Sequence, residues 1–538
     1  MLPIKTVLTT NKGKQTMVAN KSLFKGTGSG SKMMVPPTNA VNLAGGVAYD
    51  RGAEESLAQI ACTGTFNGTA YATGNDVLNM VQSLVPKVSD TFLAKLAVFS
   101  RESAYMKDMS AFLLAALMVR NPDLFNQVFF RVVDNGKMLK NFVQVVRSGV
   151  VGRKSFGSRP RRLIRNWLAN RSDNKLFEDS VGESPSLADV IKMVHPTPAN
   201  PQREALYGYL LGRKHNADNL PQAVKDYEAF KAAAVGTRTV PQNVSFQMLT
   251  SLNLSDNEWK EVAKGMSWHA TRMNLNTFER HNVFTSSQMV DLVAKKLSDK
   301  ESVKRSKVFP YQLFVAYTMA TSVPMKVRES LQDAMEVAID NIPSFDGRLL
   351  VAVDFSGSMN CPVTGMQGSA SSKVTCNQVA SLMASCFVRR SRDFDVLRFD
   401  DRAHRVTLNP RDSVITNAQK IGCYGGGTNC SAPVKMWNDE KQHADVVIII
   451  SDNESWCGGA YRSGTPLANE WAKFKARNPK AKLVLIDLAA GLTTQVGTSN
   501  DVLNIGGFSG DVVFETIHNF FTDNTANFVS RVEAISLN

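Results

Sequence analysis

Several signatures of chemistry are missing from this sequence. No GxxxxGK[ST] phosphate loop, no GxSxG elbow and no CxxC pair occurs in its 538 residues. That argues against a P-loop nucleotide cradle, an esterase-type nucleophile and a zinc knuckle. Cysteine is scarce, with seven residues, six of them between Cys361 and Cys457. An odd, clustered set makes a poor disulfide framework and suits reduced thiols in a cytoplasm. Long apolar runs are lacking too. Ala111–Val119 and Val446–Ile450, among the longest, fall short of a bilayer's thickness, and the N-terminus has no apolar core of signal-peptide length. Neither a membrane nor a secreted protein is expected. Acid is absent from the first 49 residues, which hold six lysines.

What is present describes an ordinary globular chain, 43% hydrophobic and 20% charged. Its length calls for more than one core. The net charge of +14 is unevenly placed. Residues 346–538 hold 19 basic and 19 acidic groups, so the whole excess lies in residues 1–345. Such asymmetry points to a polyanion partner, nucleic acid ahead of a membrane surface. Charge that serves solubility alone is the plainer alternative.

Three regions follow from the pattern. Residues 1–40, with the Gly- and Ser-rich stretch 26–32, read as a mobile basic arm. Residues 41–345 read as α-helical. Apolar stripes at helical spacing recur at Val77–Val85, Phe92–Phe99, Met109–Val119, Phe125–Val133, Leu139–Val146 and Leu187–Val194. They continue at Ala223–Ala234, Val244–Leu252, Met289–Leu297, Pro310–Ala320 and Leu331–Ile339. Many short helices without strands predict a solenoid of stacked helix pairs or an irregular bundle. In residues 346–538 the texture changes. Arg348–Asp354, Phe394–Phe399, Ala444–Ile450 and Lys482–Leu488 are apolar runs separated by helical stretches such as Val374–Arg390. That alternation predicts a doubly wound parallel sheet. The fold class is thus a helical repeat followed by an α/β domain.

The first of those strands ends in Asp354-Phe-Ser356-Gly-Ser358. Two more oxygen donors stand where the fold would return: Thr428 after a glycine run, and Asp452 after Val446–Ser451. Two carboxylates and three hydroxyls form a hard, all-oxygen set suited to a divalent cation, Mg²⁺ above all. All five positions resemble the metal-ion-dependent adhesion site of von Willebrand factor A domains. That resemblance implies direct contacts from Ser356, Ser358 and Thr428, water-mediated ones from Asp354 and Asp452, and a sixth position open to a partner's acidic group or a phosphate. An enzyme is not expected. Ser356 stands where a dehalogenase-type phosphotransferase needs a second Asp, and His404 and His443 have no triad context. Bound metal without a base points to binding rather than turnover.

The basic excess is densest in Gly152–Trp167. Ser158 is expected as an N-cap and Pro160 in the first turn. Arg161, Arg162 and Arg165 would then crowd the positive end of a helix, an arrangement that an anion relieves. Arg153, Lys154 and Arg159 extend the cluster, and Trp167 offers a stacking face unless the helix buries it. A solvated basic face is the alternative. His195, before Pro196, reads as a turn or capping residue. Arg272 and Asn274 could face a nucleic acid, although a helix surface accounts for them more simply.

Taken in order, several segments resemble the Ro ribonucleoprotein, or TROVE-module, family of RNA-binding proteins. They are Asn42–Gly46, Phe99-Ser100, Gly157–Trp167, His195-Pro196, Arg272–Leu275, Phe309–Leu313, Val353–Met359, Gly426–Cys430 and Ala444–Glu454. The resemblance spans roughly residues 40–538, with bacterial-type members in view. It implies a monomeric ring of HEAT-like helical repeats closed by the A domain. It implies Y or Y-like noncoding RNAs on the outer surface, with Arg161, Arg162, Arg165 and His195 among their contacts. It also implies single-stranded 3′ ends of misfolded or processed RNAs in a central hole. The attached role is RNA quality control, maturation or decay, linked through a Y-like RNA to a 3′–5′ exoribonuclease. A protein scaffold whose metal site grips an acidic partner residue is the competing expectation.

Overall fold

The computed structural model describes residues 35–63, 66–182, 184–366, 373–422, 425–457, 464–508, 510–522 and 527–538. Most of the expected basic arm lies outside the described residues. From Ala53 to Asn341 the described chain is helical. Ser89, Asn121, Asn135, Ser172 and Ser186 each accept a backbone N–H at a helix start, which satisfies donors that the helix itself cannot. Helix Pro122–Val132 shows how the stripes work. Phe125, Val128, Phe129 and Val132 are its buried residues, spaced by three, one and three. Phe125 and Phe129 meet Phe142 of the next helix at ring separations of 5.8 and 5.7 Å. The expected helix over Val244–Leu252 shrinks to Phe246–Leu249. The hydroxyls of Thr250 and Ser251 turn back onto the carbonyls of Gln247 and Met248, a local bond that competes with helix continuation.

Nine strands are present among the described residues. A short pair comes first, β1 (Ala40–Val41) and β2 (Val47–Asp50). After the helical array come β3 (Phe345–Asp354), β4 (Ser391–Phe399), β5 (Ala403–Arg405), β6 (Val446–Ser451) and β7 (Lys482–Asp487), then β8 (Thr493–Thr494) and β9 (Val502–Gly506). The main sheet runs β5-β4-β3-β6-β7-β9, parallel except at the β5 edge. Its residues alternate between two cores. Leu349, Val351 and Val353 face one, and Leu350 and Ala352 the other. Helices Cys376–Arg389 and Gly510–Thr522 cover the first face, and Ser431–Asp439 and Pro466–Arg477 the second. The doubly wound expectation therefore holds. The chain leaves β3 for β4 on one side and returns to β6 on the other, so the carboxyl ends of β3 and β6 flank the switch point where such sheets bind ligands.

The helical array starts and finishes on this domain. At its start β2 pairs with β8, Arg51 forms a buried ion pair with Asp487 at the end of β7, and helix Ala53–Thr63 packs on β9. Phe528, in the last helix, meets Phe99 of helix Asp90–Glu102 at 6.0 Å. At its finish helix Pro310–Met319 packs on Cys376–Arg389, and Glu336 accepts from the Val414 N–H at 3.2 Å and from Arg389. The chain thus closes a ring on itself. Residues 41–50, placed by sequence at the front of the helical part, form strands on the A domain together with Ala40 instead. The Asn42–Gly46 turn makes this possible: Asn42 Oδ1 accepts from Gly46 N at 2.7 Å, and Gly45 takes φ +86°. No helix among the described residues is long and apolar enough to cross a membrane.

Candidate functional site

Four of the five metal-site candidates meet at that switch point, and the loop that carries Thr428 is tied there where Gly357 N donates to Gly426 O at 3.2 Å. Asp354 ends β3 and is fully buried, and Ser356, Thr428 and Asp452 are buried beside it. Ser356 N donates to Asp354 Oδ1 at 2.8 Å, and Ser451 Oγ donates to Asp354 Oδ2 at 2.6 Å. The Ser356 and Ser358 hydroxyls lie 3.2 Å apart. Thr428 is fixed through its carbonyl, which accepts from Trp456 N at 3.1 Å and Cys457 N at 3.0 Å. Gly427 permits that closeness, since a Cβ there would sit 2.4 Å from Cys457 Sγ. Burial, then the charge of Asp452, pushes the Asp354 carboxyl up, and burial pushes Asp452 up too. Asp452 Oδ2 is buried with no hydrogen-bond partner among the described residues. Two buried like charges, one with an orphaned oxygen, have no counter-charge beside them among the described residues. With the Ser356 and Ser358 hydroxyls beside the two carboxylates, the donor set fits a hard divalent cation. No cluster of three or more His, Cys, Asp or Glu side chains suited to a metal occurs among the described residues, so a hydroxyl-rich set is the one on offer.

Sequence reasoning missed what lies over this pocket. Residues 66–72 of the helical part bridge onto the loop after the metal motif. Met366 N donates to Gly68 O at 2.7 Å, and Asn67 Nδ2 donates to Thr364 O at 2.8 Å. Tyr71 faces the Ser358 side chain, and its phenol is pushed up by burial. Glu454, raised to about 7 by burial and then by Asp452, accepts from Ala44 N at 3.1 Å. Asn42 Nδ2 donates to Ser455 O at 2.8 Å. Asn42 and Glu454 sit in segments that the family resemblance marks; Tyr71 carries no sequence signal.

The basic candidates separate into two groups. Helix Ser158–Asn170 begins at Gly157, not Ser158: Gly157 is the N-cap, with no side-chain cap bond. Ser158 is already helical, because the extended residue before the first turn is the glycine. A Cβ on Gly157 would lie 2.7 Å from Arg153 Nη2, so the glycine lets that guanidinium reach the uncapped helix start. Arg161, Arg162 and Arg165 are exposed, and no carboxylate pairs with them among the described residues. Arg165 Nε donates to Val194 O, which brings the arginine helix beside His195. His195 caps helix Leu187–Val194 in a left-handed conformation, φ 48° and ψ 65°, and is exposed. It opens a cleft of about 300 Å³ that Lys192, Arg213 and Lys214 also line; these three were not singled out in the sequence. Lys154 lies exposed on the same loop, packed over Gly149.

The other candidates are engaged in the fold. Arg159 pairs with Asp123 at 2.8 Å. Arg153 Nε donates to Ser155 O at 2.7 Å. Arg272 Nη1 donates to Gln312 O at 2.7 Å, and burial lowers its pKa. Asn274 Nδ2 donates to Ala270 O at 2.8 Å. Trp167 is buried, with Nε1 donating to Val133 O at 2.8 Å and the Arg171 guanidinium 4.8 Å from its ring centroid, so it offers no open face.

Comparison with known proteins places this architecture. A TROVE domain model matches residues 134–364, and a Ro60 vWA domain model matches residues 348–521. The chain belongs to the Ro60 family. A Deinococcus radiodurans relative named RNA-binding protein RO60 is 24% identical over 87% of this chain and 92% of its own. A Caenorhabditis elegans protein of the same name is 26% identical over 31% of this chain and 27% of its own. The crystal structure of the Deinococcus radiodurans Ro (Rsr) protein matches with a TM-score of 0.60 at 18% identity, covering 88% of this chain and 99% of that one. The Ro fold is therefore shared along nearly the whole ring.

Proposed function

We propose that this Ro-family chain is a non-catalytic RNA-binding protein. It binds Y or Y-like noncoding RNAs on its helical ring and holds single-stranded 3′ ends of structured or misfolded RNAs. Its role is RNA quality control, maturation or decay in the cytoplasm, as a monomer that meets a 3′–5′ exoribonuclease through its RNA. The names of both relatives support RNA as the ligand. One observation carries the reading most directly. An uncapped helix start stands beside Arg161, Arg162 and Arg165, cations without carboxylate partners among the described residues, next to His195. Free N–H groups, a positive helix end and arginine forks form a phosphate site. The six described cysteines are free thiols, in keeping with a reducing compartment.

Mg²⁺ belongs to this reading as a structural ion. Asp354, Ser356, Ser358, Thr428 and Asp452 would hold it, and the ion would supply the positive charge that two buried carboxylates lack. The test is filter binding of a stem-loop RNA across a salt series. Each lost phosphate contact lowers the salt slope by about 0.9. Arg161→Ala, Arg162→Ala and Arg165→Ala together should flatten it by roughly two to three units. An unchanged slope and affinity would refute RNA binding through this face.

A further inference from the structure

The seam over the metal pocket is built, not merely close. The loop 66–74 folds back on itself, since a Cβ on Gly74 would lie 2.4 Å from Phe66 O. Within it Thr69 Oγ1 accepts from Tyr71 N at 3.3 Å and from Ala72 N at 3.1 Å, while Thr69 N donates to Ala72 O at 2.7 Å. A threonine that bonds the backbone two and three residues on fixes a turn. That turn presents the half-buried Tyr71 to the metal pocket, with its phenol facing the Ser358 side chain. The loop is docked as well as folded. Gly68 and Met366 exchange backbone hydrogen bonds at 3.3 and 2.7 Å.

Tyr71, Ser358, Asp452 and Glu454 line one cavity of about 30 Å³. Two of the four are carboxylates, and no described Lys, Arg or His lines the space. Asp452 is 6% exposed, and its Oδ2 has no hydrogen-bond partner among the described residues. Buried polar atoms are almost always satisfied, so the orphaned oxygen indicates a positive ligand. Ions such as Mg²⁺ take six oxygens in a near-octahedron. In an open site, water or a partner completes the set. Here the walls leave little space beyond the ion itself, so a wall must supply the missing oxygen. Glu454 already accepts from Ala44 N at 3.1 Å and holds the Asn42–Gly46 turn. Thr63 and Asn67 donate to Gln59 O and Thr364 O, each at 2.8 Å, and Thr69 closes its own turn. Tyr71 is the residue of the helical part whose oxygen faces a hydroxyl of the metal motif.

We propose that Tyr71 completes the metal site from across the seam: its hydroxyl supplies an oxygen to a bound divalent cation, directly or through one water, and so ties the loop 66–72 to the A domain. This rests on the metal reading above and goes beyond it. The position that an adhesion-type site leaves to a partner's acidic group is taken by the chain's own residue. A cation that binds only the docked loop stabilises that docking by mass action, and docking in turn tightens cation binding by the same factor. The metal then acts as a latch on the start of the ring.

The experiment uses the full chain and Mn²⁺ alone as the probe. Tyr71→Phe keeps the ring that packs in the seam and removes its oxygen. Calorimetry should show Mn²⁺ affinity reduced about tenfold or more, the usual cost of losing a group that supports a metal's ligands. Hydrogen exchange at the Gly68 and Met366 amides reads the seam directly. In wild type, Mn²⁺ at about 100 times its Kd should slow that exchange about 100-fold. At the same concentration the gain in Tyr71→Phe should fall to about tenfold or less, with metal-free exchange unchanged. Undiminished Mn²⁺ affinity in Tyr71→Phe would overturn the proposal while leaving the metal reading intact. A wild-type seam whose exchange ignores bound Mn²⁺ would do the same. Water-proton relaxation provides an arm free of variants. Mn²⁺ bound to wild type should give little enhancement, because the walls admit no freely exchanging water, and a strong enhancement would mean an open site and refute the latch. If wild type binds no Mn²⁺, the metal reading falls and this proposal with it, whereas RNA binding is independent of every arm.

Discussion

Replacing Arg51 with Met should loosen the start of the ring in a way that depends on pH. The Arg51 side chain is 1% exposed and that of its partner Asp487 is 4% exposed. Even with Arg51 present, burial holds the Asp487 carboxyl at about 6. Besides Arg51, only Gln59 Nε2, at 3.5 Å, approaches Asp487 Oδ2 with a side-chain donor among the described residues. Arg51→Met therefore leaves a buried carboxylate with almost no compensation, at a cost of about 3–5 kcal/mol where it stays ionised. The sign is fixed by which state holds the proton. The folded-state pKa lies above the usual carboxylate value and rises further without Arg51. The folded variant therefore takes up a proton well before the unfolded chain does. Its stability increases as pH falls through that raised value, and the gain ends below about 4, where both states are protonated. Each pH unit between the two values is worth about 1.4 kcal/mol.

Hydrogen exchange suits this test, because a large ring opens locally before it unfolds. At pH 8 the protection of amides in β2 and helix Ala53–Thr63 should drop on the order of 100-fold, the equivalent of about 3 kcal/mol. At pH 5 the drop should shrink to a few-fold, and Arg51→Lys should recover part of it at pH 8. A loss equal at both pH values would show that lost packing, not the uncompensated charge, dominates. No loss at all would mean that the ion pair does not hold the ring's start.

Two further outcomes follow from the geometry. Asp354→Asn should abolish Mn²⁺ binding measured by calorimetry. Without metal it should leave the melting temperature unchanged or raise it, because it removes one of two repelling buried carboxylates; undiminished Mn²⁺ affinity would exclude this pocket as the metal site. Asp123→Asn should cost under about 1 kcal/mol of stability, as expected for an exposed ion pair. It should also tighten stem-loop RNA binding a few-fold by freeing Arg159, and weaker binding would contradict a phosphate-facing role for that arginine.

Periodicity and spacing carry most of the architecture. The run Arg348–Asp354 could be recognised as a two-faced strand because alternate residues enter two cores, and the placing of Asp354 and Asp452 at strand ends was legible because their spacing follows the apolar runs. What escaped was long-range. Tyr71 lies almost 300 residues before Ser358, and nothing in its local sequence marks it. Strand β1 has two residues and β8 has two, too short for any alternation. Arg272 looked like a surface cation because burial under Tyr311 and Gln312 depends on packing that its own helix does not encode. The N-cap moved by one residue because Gly157 takes an extended conformation, so Ser158, a better capping type, becomes the first helical residue.

The covering of the metal pocket bears on what that pocket can do. An adhesion-type site needs its sixth coordination position open, so that a partner carboxylate can reach the ion. Here the cavity beside Ser358 and Asp452 is about 30 Å³, and Leu43, Asn67, Thr69, Ala70 and Tyr71 wall it from the other side. That is room for a water molecule or an ion, not for an acidic side chain with its backbone. The walls are anchored as well. The Gly68–Met366 bridge and the Asn67, Asn42 and Glu454 hydrogen bonds would all have to break to admit a partner. Each is a net contribution of about 1 kcal/mol, so opening the site competes with the closure of the ring itself. A carboxylate that reached the ion would do so at the expense of the junction through which residues 40–72 hold the A domain. The geometry therefore weighs against an acidic protein partner at this pocket and in favour of a site that serves the closure of the ring.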